Sequence, residues 1–195
     1  MGRVTLRSYD NSWYSPGGSL AKRLLWMFLG QPFFASKWLP GSSLRVSLLR
    51  SFGAQIGRGV VIKPSVRVKY PWHLELEDDC WIGEDAWIDN LTTVHIGRNA
   101  CVSQGAYLCT GNHDWPDPHF GLRTEPIRLG EGSWAGAKCI LMPGTTLGSH
   151  AVAGAGAVVK GSVPDFEIYA GNPAQRVRVR NIREEMQGVE QVVGS

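Results

Sequence analysis

The sequence has 195 residues and a formal net charge of +3, and 19% of its residues are charged. No dense basic run accompanies this mild charge, which excludes a nucleic-acid-binding protein of the usual basic kind. The length predicts one domain with appendages. The four cysteines show no CxxC spacing and no export signal precedes them, so we predict reduced thiols and a cytoplasmic protein.

Residues 1–53 form an N-terminal segment with two predicted helices. Ser19 is followed by LAKRLLWMFLG and Ser43 by LRVSLLRSFG, so each helix starts after a capping serine and ends on a glycine. The first helix is apolar nearly all round, yet its apolar run is too short to span a bilayer. We predict a helical cap over the next region, with peripheral contact to a membrane surface as the alternative.

A six-residue period runs through residues 54–166. Each hexad predicts one short strand and one corner, and three hexads close a triangular coil whose first and fifth positions point inward. Branched aliphatic residues take the first position and small residues the fifth. The pattern predicts an all-β solenoid of about five coils. Its first positions before the break are Ile56, Ile62, Val68, Leu76, Ile82, Ile88, Ile96, Val102 and Leu108.

The period stops after His113 and resumes at Leu129. Residues 114–126 cannot join a coil, so we predict a protruding loop, which in a solenoid indicates a binding device. A neutral imidazole beside such a loop can act as a general base. His73 and Thr93 share an outward column with His113 by this count, which predicts either the floor of a binding site or simple surface alternation.

After the last hexads the chain leaves the predicted solenoid. Residues 167–195 form a C-terminal extension in which RVRVR alternates like an edge strand. Gly171, Asn172 and Pro173 mark the exit.

Several stretches resemble the hexapeptide-repeat acyltransferases, over residues 50–180. They include LLRSFGAQIGRGVVIKPSV, YLCTGNHD, PIRLGEGSWAGAKCILMPGTTLG and AGNPA. The likeness is greatest to sugar O-acetyltransferases of the colanic-acid exopolysaccharide type. It implies a left-handed parallel β-helix, a hand that rests on the resemblance alone because crossover connections are generally right-handed.

The resemblance implies an acetyl-CoA-dependent O-acetyltransferase that acts on a sugar hydroxyl of a polysaccharide or glycan precursor. His113 matches the general base of the family, and no metal is required. The family assembles as homotrimers with sites at subunit interfaces, so we expect His113 from one subunit and Lys160 with Arg178 from another. The expected location is the cytoplasm, with peripheral contact at the inner face of the membrane as the variant.

The resemblance also supplies candidates for the acceptor site. Asn90 matches an asparagine that holds the acceptor sugar, although a turn residue that satisfies the corner backbone is the alternative. Asp114 and Trp115 begin the loop, where the indole could stack on a sugar or anchor the loop. The group that orients His113 stays open among Asp114, Asp117, Glu125 and a backbone carbonyl.

For the acetyl donor, Ala137 matches the position whose N–H steadies the developing oxyanion, and Ala155 matches a position of close approach. Lys160 and Arg178 match basic residues that meet the nucleotide phosphates. Arg176 and Arg180 lie nearby as substitutes, and a solvated basic edge is the plain alternative for all of them.

Three other functions remain open at this point. An amino-sugar N-acetyltransferase would share the fold and the donor. A γ-carbonic-anhydrase-like zinc protein needs three converging histidines, of which His113 and His119 could supply two. A non-catalytic scaffold would leave the histidine beside the long loop unexplained.

Overall fold

The computed structural model describes residues 2–38 and 41–183. Its centre is a triangular solenoid of short parallel strands, preceded by a helical segment and followed by an antiparallel pair of strands. The predicted C-terminal extension is described as far as residue 183, and its remainder lies outside the described residues.

The helical segment combines α-helix with one π-helical turn. Its first helix begins after Ser19, whose Oγ accepts a hydrogen bond from the Lys22 N–H at 3.2 Å, as the predicted capping serine should. Contrary to the prediction, Gly30 does not end this helix. A side chain at Gly30 would collide with the Trp26 ring, so only glycine fits at this position. In chain order the segments are α1 (Leu20–Leu25), the π-helical turn (Trp26–Gly30), α2 (Gln31–Ala35) and α3 (Ser42–Ser51), with 3₁₀ turns at Leu6–Ser8 and Pro71–His73.

Helix α3 covers the open end of the first coil. It begins at Ser42 with Gly41 at the N-cap position, so Ser43 is a helix residue and not the predicted cap, and no side chain caps the helix. The Oγ of Ser42 accepts a hydrogen bond from the Ile62 N–H at 2.7 Å and donates one to the Val60 carbonyl at 3.1 Å. This ties the helix to a strand of the solenoid, and Leu49 is fully buried beneath it.

The strands are short and regularly spaced. Within the described residues they are β1 (Gln55–Ile56), β2 (Val61–Ile62), β3 (Arg67–Val68), β4 (Leu74–Leu76), β5 (Trp81–Ile82), β6 (Trp87–Asp89), β7 (Val94–Ile96), β8 (Cys101–Val102), β9 (Tyr107–Cys109), β10 (Gly111–His113), β11 (Leu122–Thr124), β12 (Ile127–Leu129), β13 (Trp134–Ala135), β14 (Ile140–Leu141), β15 (Thr146–Leu147), β16 (Val152–Ala153), β17 (Val158–Val159), β18 (Ser162–Val163), β19 (Glu167–Gly171) and β20 (Ala174–Val179).

Three parallel faces form the walls of the solenoid. Face 1 has the order β1-β4-β7-β12-β15-β18, face 2 has β2-β5-β8-β13-β16-β19, and face 3 has β3-β6-β9-β14-β17. Strand β20 adds antiparallel to β19 at the end of face 2. The described chain therefore makes about six turns rather than the predicted five, because β18 and β19 continue the solenoid after the last clear hexad.

The interior confirms the six-residue period. First-position side chains from Ile62 onward are buried, and so are nearly all fifth-position side chains; Ile56 and Thr92 are half-buried. Equivalent residues stack in register from one turn to the next, as in a repeat protein whose core is built by nearest neighbours. Burial raises the pKa of the Cys80 thiol to about 11 and that of Cys139 to about 12.

Candidate active site

An antiparallel hairpin leaves the solenoid between faces 3 and 1. Strands β10 and β11 pair with His113 opposite Leu122, and the hairpin closes where the Glu125 N–H donates to the Thr110 carbonyl at 2.9 Å. The excursion therefore includes His113 itself, whereas the predicted loop starts after it. This hairpin places the histidine outside the coil wall.

The predicted outward column does not include His113. Strand β12 lies directly above β7, so Pro126 follows Thr93 in that column. His73 is engaged elsewhere, with its Nε2 3.0 Å from the carbonyl oxygen of Pro16. The predicted shared floor is wrong, because the whole hairpin is inserted between the two turns.

The hairpin orients the imidazole of His113. Nδ1 lies 2.9 Å from the Phe120 carbonyl oxygen, and since a carbonyl only accepts, Nδ1 carries the proton. In the neutral ring Nε2 then holds the lone pair. Phe120 has a left-handed backbone (φ 54°), and its ring stacks on the imidazole with centroids 4.3 Å apart. The sequence left several candidates for the group that orients His113, and in the structure that group is the backbone carbonyl of Phe120.

The two residues after His113 differ in their surroundings. The Asp114 carboxylate forms an ion pair with Arg123 across the hairpin, and the Asp114 N–H donates to the Gly121 carbonyl at 2.7 Å. Asp114 therefore holds the hairpin together. Trp115 is 73% exposed, so its indole does not anchor the loop and is accessible to a ligand.

A cavity of about 240 Å³ brings His113 and Lys160 together in one chain. Lys160 follows β17, at the same corner from which the hairpin leaves, and Met142 and Pro143 lie between them. The expectation that a site takes His113 and Lys160 from different subunits stays a prediction, since this cavity belongs to a single chain. The walls are Asn112, His113, Asp114, Trp115, Pro116, Arg123, Glu125, Met142, Pro143 and Lys160.

The N-terminal arm packs against the hairpin. Ser8 Oγ lies 2.8 Å from Nδ1 of His119, and the Tyr9 ring lies 5.8 Å from the His113 ring, centroid to centroid. Neither Tyr9 nor Phe120 is among the predicted site residues. Tyr9 could not have been found from the sequence, because no motif or spacing connects it with a histidine more than a hundred residues away.

Asn90 is a structural residue at its corner. It is 0% exposed, its Oδ1 accepts from the Tyr70 N–H at 2.9 Å, and its Nδ2 donates to the Tyr70 carbonyl at 2.7 Å. The side chain thus satisfies the backbone of the turn below, which is the alternative that the sequence left open. It presents no surface with which to contact an acceptor.

The corner between faces 2 and 3 carries unpartnered backbone amides. The N–H groups of Ala137 and Ala155 donate to no acceptor within the described residues. At the corner between faces 1 and 2, by contrast, carboxylates accept from the equivalent N–H groups of Arg58, Arg98 and Ser149. The alanine corner is therefore open for a ligand that brings its own acceptors.

One chain does not bring Ala137 and His113 together. Ala137 precedes β14 and the hairpin follows β9, and both strands run in parallel on face 3. The two residues therefore lie at opposite ends of this face. At about 3.3 Å per residue, the strand rise puts roughly 16 Å between the two corners.

Arg178 differs from the neighbouring arginines Arg176 and Arg180 in its polar contacts. Arg176 bonds Glu167 at 2.7 Å, and Arg180 donates to two backbone carbonyls at 2.9 and 3.1 Å. Arg178 is exposed and has no polar partner among the described residues. It lies at the end of face 2, opposite Ile168, and so does not line the cavity of His113.

Two kinds of feature are not found in the described ranges 2–38 and 41–183. No group of three or more His, Cys, Asp and Glu side chains is placed to hold a metal ion there. No described helix has the length and apolar character that crossing a bilayer requires.

The six-residue period and the triangular parallel coil define a hexapeptide-repeat protein. The family model "hexapeptide repeat of succinyl-transferase" matches residues 74–109 and 126–160, and the unmatched interval contains the hairpin. The proposed colanic acid biosynthesis acetyltransferase WcaF of Escherichia coli K12 is 41% identical over 166 residues, which cover 84% of this chain and 90% of that protein. The chain therefore belongs to the hexapeptide-repeat acetyltransferase family.

Solved structures share this fold. A maltose O-acetyltransferase from Clostridium difficile 630 superposes with a TM-score of 0.75 at 21% identity, over 87% of this chain and 92% of that one. A galactoside acetyltransferase in complex with coenzyme A gives a TM-score of 0.67 at 25% identity, over 83% and 82% of the two chains. The solenoid has the left hand of these β-helices, as the resemblance implied.

Proposed function

We propose that this acetyltransferase transfers the acetyl group of acetyl-CoA to a hydroxyl of a sugar in a polysaccharide or glycan precursor. The observation that carries the proposal is the geometry of His113. Its Nδ1 proton is bound to the Phe120 carbonyl, which leaves the Nε2 lone pair as the base in a cavity outside the coil. The names of the relatives, which refer to colanic acid, galactoside and maltose, support a sugar as the acceptor.

In the proposed reaction, Nε2 of His113 takes the proton of the acceptor hydroxyl while the hydroxyl oxygen attacks the thioester carbonyl of acetyl-CoA. The carbon–oxygen bond forms, the carbon–sulfur bond breaks, and Nε2 returns the proton to the departing thiolate. The Phe120 carbonyl holds the ring in the productive tautomer and stabilises the imidazolium. Such a base contributes about 10² to 10⁴ in rate.

The open alanine corner fits the donor. The unpartnered N–H groups of Ala137 and Ala155 can donate hydrogen bonds to carbonyl oxygens of the donor molecule. Because alanine has only a methyl side chain, the donor molecule can lie close to the backbone there. In the proposal the Ala137 N–H stabilises the oxyanion, an effect worth about 3 kcal/mol for one donor. Lys160 and Arg178, which have no ion-pair partner in the described structure, meet the phosphates.

The proposed assembly is a homotrimer with shared sites. His113 of one subunit could meet Ala137 of another, which the separation across face 3 does not allow within one chain. The outward residues of faces 2 and 3 support such contacts because they are largely apolar, whereas those of face 1 are polar. These outward residues are Val61, Trp81, Cys101, Trp134, Val152 and Ile168 on face 2, Tyr107, Ile140 and Val158 on the upper turns of face 3, and Gln55, Glu75, His95, Arg128, Thr146 and Ser162 on face 1. Arg67 and Trp87, on the lower turns of face 3, lie beside the helical segment and are not part of this contact.

The proposed compartment is the cytoplasm. All four cysteines are free thiols, and two of them are buried within the solenoid. Free thiols persist most readily where glutathione and thioredoxin keep the environment reducing.

The decisive variant is His113→Ala. We expect kcat to fall about 10²- to 10⁴-fold with donor affinity nearly unchanged, because the imidazole acts in the transition state rather than in binding. Kinetics with sugar acceptors and calorimetry with CoA measure the two quantities. His95→Ala is the matched control, since His95 lies on face 1 and contacts Glu77. Activity of His113→Ala within threefold of wild type would exclude the assignment, and faster transfer to amines than to hydroxyls would favour the amino-sugar alternative.

Mixed trimers test the shared site. His113→Ala chains and Ala137→Phe chains should each be nearly inactive alone, the second because its side chain fills the donor path. If a site takes one residue from each of two neighbours, random assortment restores about one quarter of the wild-type sites. Light scattering should give about three times the 21.4 kDa chain mass. No recovery in verified mixed trimers would assign the whole site to one chain.

A further inference from the structure

The helical segment presents an apolar surface to the outside. Trp26 and Phe34 face the solenoid and are buried, but their neighbours along the same helices are 42 to 65% exposed. Large exposed patches of this kind mark interaction sites. We call this surface the apolar helix face; its residues are Leu20, Leu24, Leu25, Met27, Phe28, Leu29 and Phe33.

Charge is divided unevenly between this segment and the rest of the chain. Residues 1–53 contain seven Lys and Arg and one Asp, a formal charge of +6. Because the whole chain carries +3, the remaining residues carry −3. A basic segment with an apolar face is complementary to an anionic lipid surface, which attracts cations and accepts apolar side chains.

A groove of about 370 Å³ lies between the helical segment and face 3. Leu24 and Met27 of the apolar helix face form part of its wall, so the groove opens beside that face. Arg23 and Gln31 also line it, together with Arg67, Lys69 and the carboxylate of Asp89. Arg23, Arg67 and Lys69 outnumber the one carboxylate, so the groove has a net positive charge that suits an anionic group such as a phosphate.

We propose that the apolar helix face docks on an anionic lipid bilayer. Its side chains enter the interfacial region, and a lipid phosphate accepts hydrogen bonds from the guanidinium of Arg23 in the groove. A second copy of the chain fits this surface less well, since self-association through it would bring two segments of charge +6 together. The docking is a property separate from the proposed acetyl transfer, and it would hold the enzyme beside acceptors carried on lipid.

Vesicle sedimentation tests the docking. The full-length protein is mixed with vesicles of phosphatidylcholine alone or with equal parts of phosphatidylcholine and phosphatidylglycerol. We expect binding at least tenfold tighter to the mixed vesicles, and a loss of this preference as salt screens the charges.

Three exposed residues provide the test variant, Leu25→Gln with Phe28→Gln and Leu29→Gln. Glutamine keeps the helix propensity and removes the apolar surface, so vesicle binding should fall at least tenfold. The matched control is Val177→Gln, at a residue that is 58% exposed on β20, far from the helices in the sequence. Arg23→Gln should reduce the preference for anionic vesicles while leaving the weak binding to neutral vesicles unchanged.

Each outcome decides the proposal. Wild-type protein that stays in the supernatant with mixed vesicles at low salt overturns it, as does a triple variant that binds like wild type. If the triple variant breaks the oligomer and the wild type ignores vesicles, the face is an interface between copies. Transfer to a soluble sugar acceptor, measured on the same preparations, should be unaffected, so failure of the docking leaves the proposed reaction standing.

Discussion

The solenoid wall and the His113 hairpin are built on different principles. In the wall, inward side chains stack on equivalent side chains of the neighbouring turns, and nearly all of them are buried. The hairpin is held by a two-stranded ladder, one ion pair and the packing of Phe120 on the imidazole. The wall repeats its contacts, whereas each contact of the hairpin occurs once.

A repeat and a departure from it can supply different things to a protein. A repeated contact is supported by its neighbours, so the wall supplies a rigid frame but offers the same corner at every turn. A single departure from the repeat can carry a side chain that no other turn carries. The histidine lies in that departure, at a corner whose neighbouring turns supply Lys160 to the same cavity.

The largest effect on stability should come from the wall. Leu129→Ala removes a fully buried side chain from the middle of face 1, so we expect a loss of about 2 to 5 kcal/mol in the free energy of unfolding. Arg128→Ala on the same strand, but outward, should cost less than about 0.5 kcal/mol. Denaturant unfolding of the two variants measures the difference, and equal losses would contradict the inward assignment of the period.

Thiol reactivity should separate the wall from its surface. Burial raises the pKa of Cys139 to about 12, so at pH 8 this thiol stays protonated and should react with iodoacetamide at least tenfold more slowly than half-exposed Cys109. Its burial contributes stability that is present below about pH 9, where the unfolded thiol is also neutral, and lost as the pH rises toward 12. Cys139→Ala should therefore lose less stability over that range. Mass spectrometry of the iodoacetamide-labelled peptides measures the two reaction rates, and equal labelling of Cys139 and Cys109 would contradict the burial of Cys139.

The smallest effect should come from the hairpin. Asp114→Asn removes the ion pair with Arg123, which is largely exposed, so we expect a loss of no more than about 1 kcal/mol in global stability. Because the same pair holds the strand that carries His113, kcat should fall severalfold. Thermal unfolding and kinetics on one preparation compare the two. If Asp114→Asn lost much stability and kept normal turnover, the hairpin would support the fold and not the reaction, contrary to this prediction.

The sequence predicted the wall well because its determinants repeat. Ile62, Ile82 and Val102 mark the same inward position on successive turns, so a chance residue at one place does not hide the period. The last turn was missed because its inward residue on face 2 is Tyr169, which does not follow the earlier pattern of small or branched aliphatic residues.

The features that the sequence could not supply depend on tertiary contacts. Ser42 is a helix residue whose hydroxyl bonds a strand, and Gly30 is required by the Trp26 ring rather than by a helix end. The carbonyl that orients His113 belongs to Phe120, and because every residue has a backbone carbonyl, the sequence does not reveal which one contacts the imidazole. His113 itself was identified as the base by its position at the break and by the family resemblance, and that role remains a proposal.

Strand β20 has a consequence for how the molecule stays discrete. A parallel solenoid ends in rows of unpaired N–H and C=O groups, which invite another chain to continue the ladder into a fibre. Here the chain turns back at the upper end, and β20 pairs antiparallel with β19, while α3 covers the lower end. The arginines of β20 then put positive charge on the outermost edge, so that a second molecule approaching it meets repulsion instead of a template.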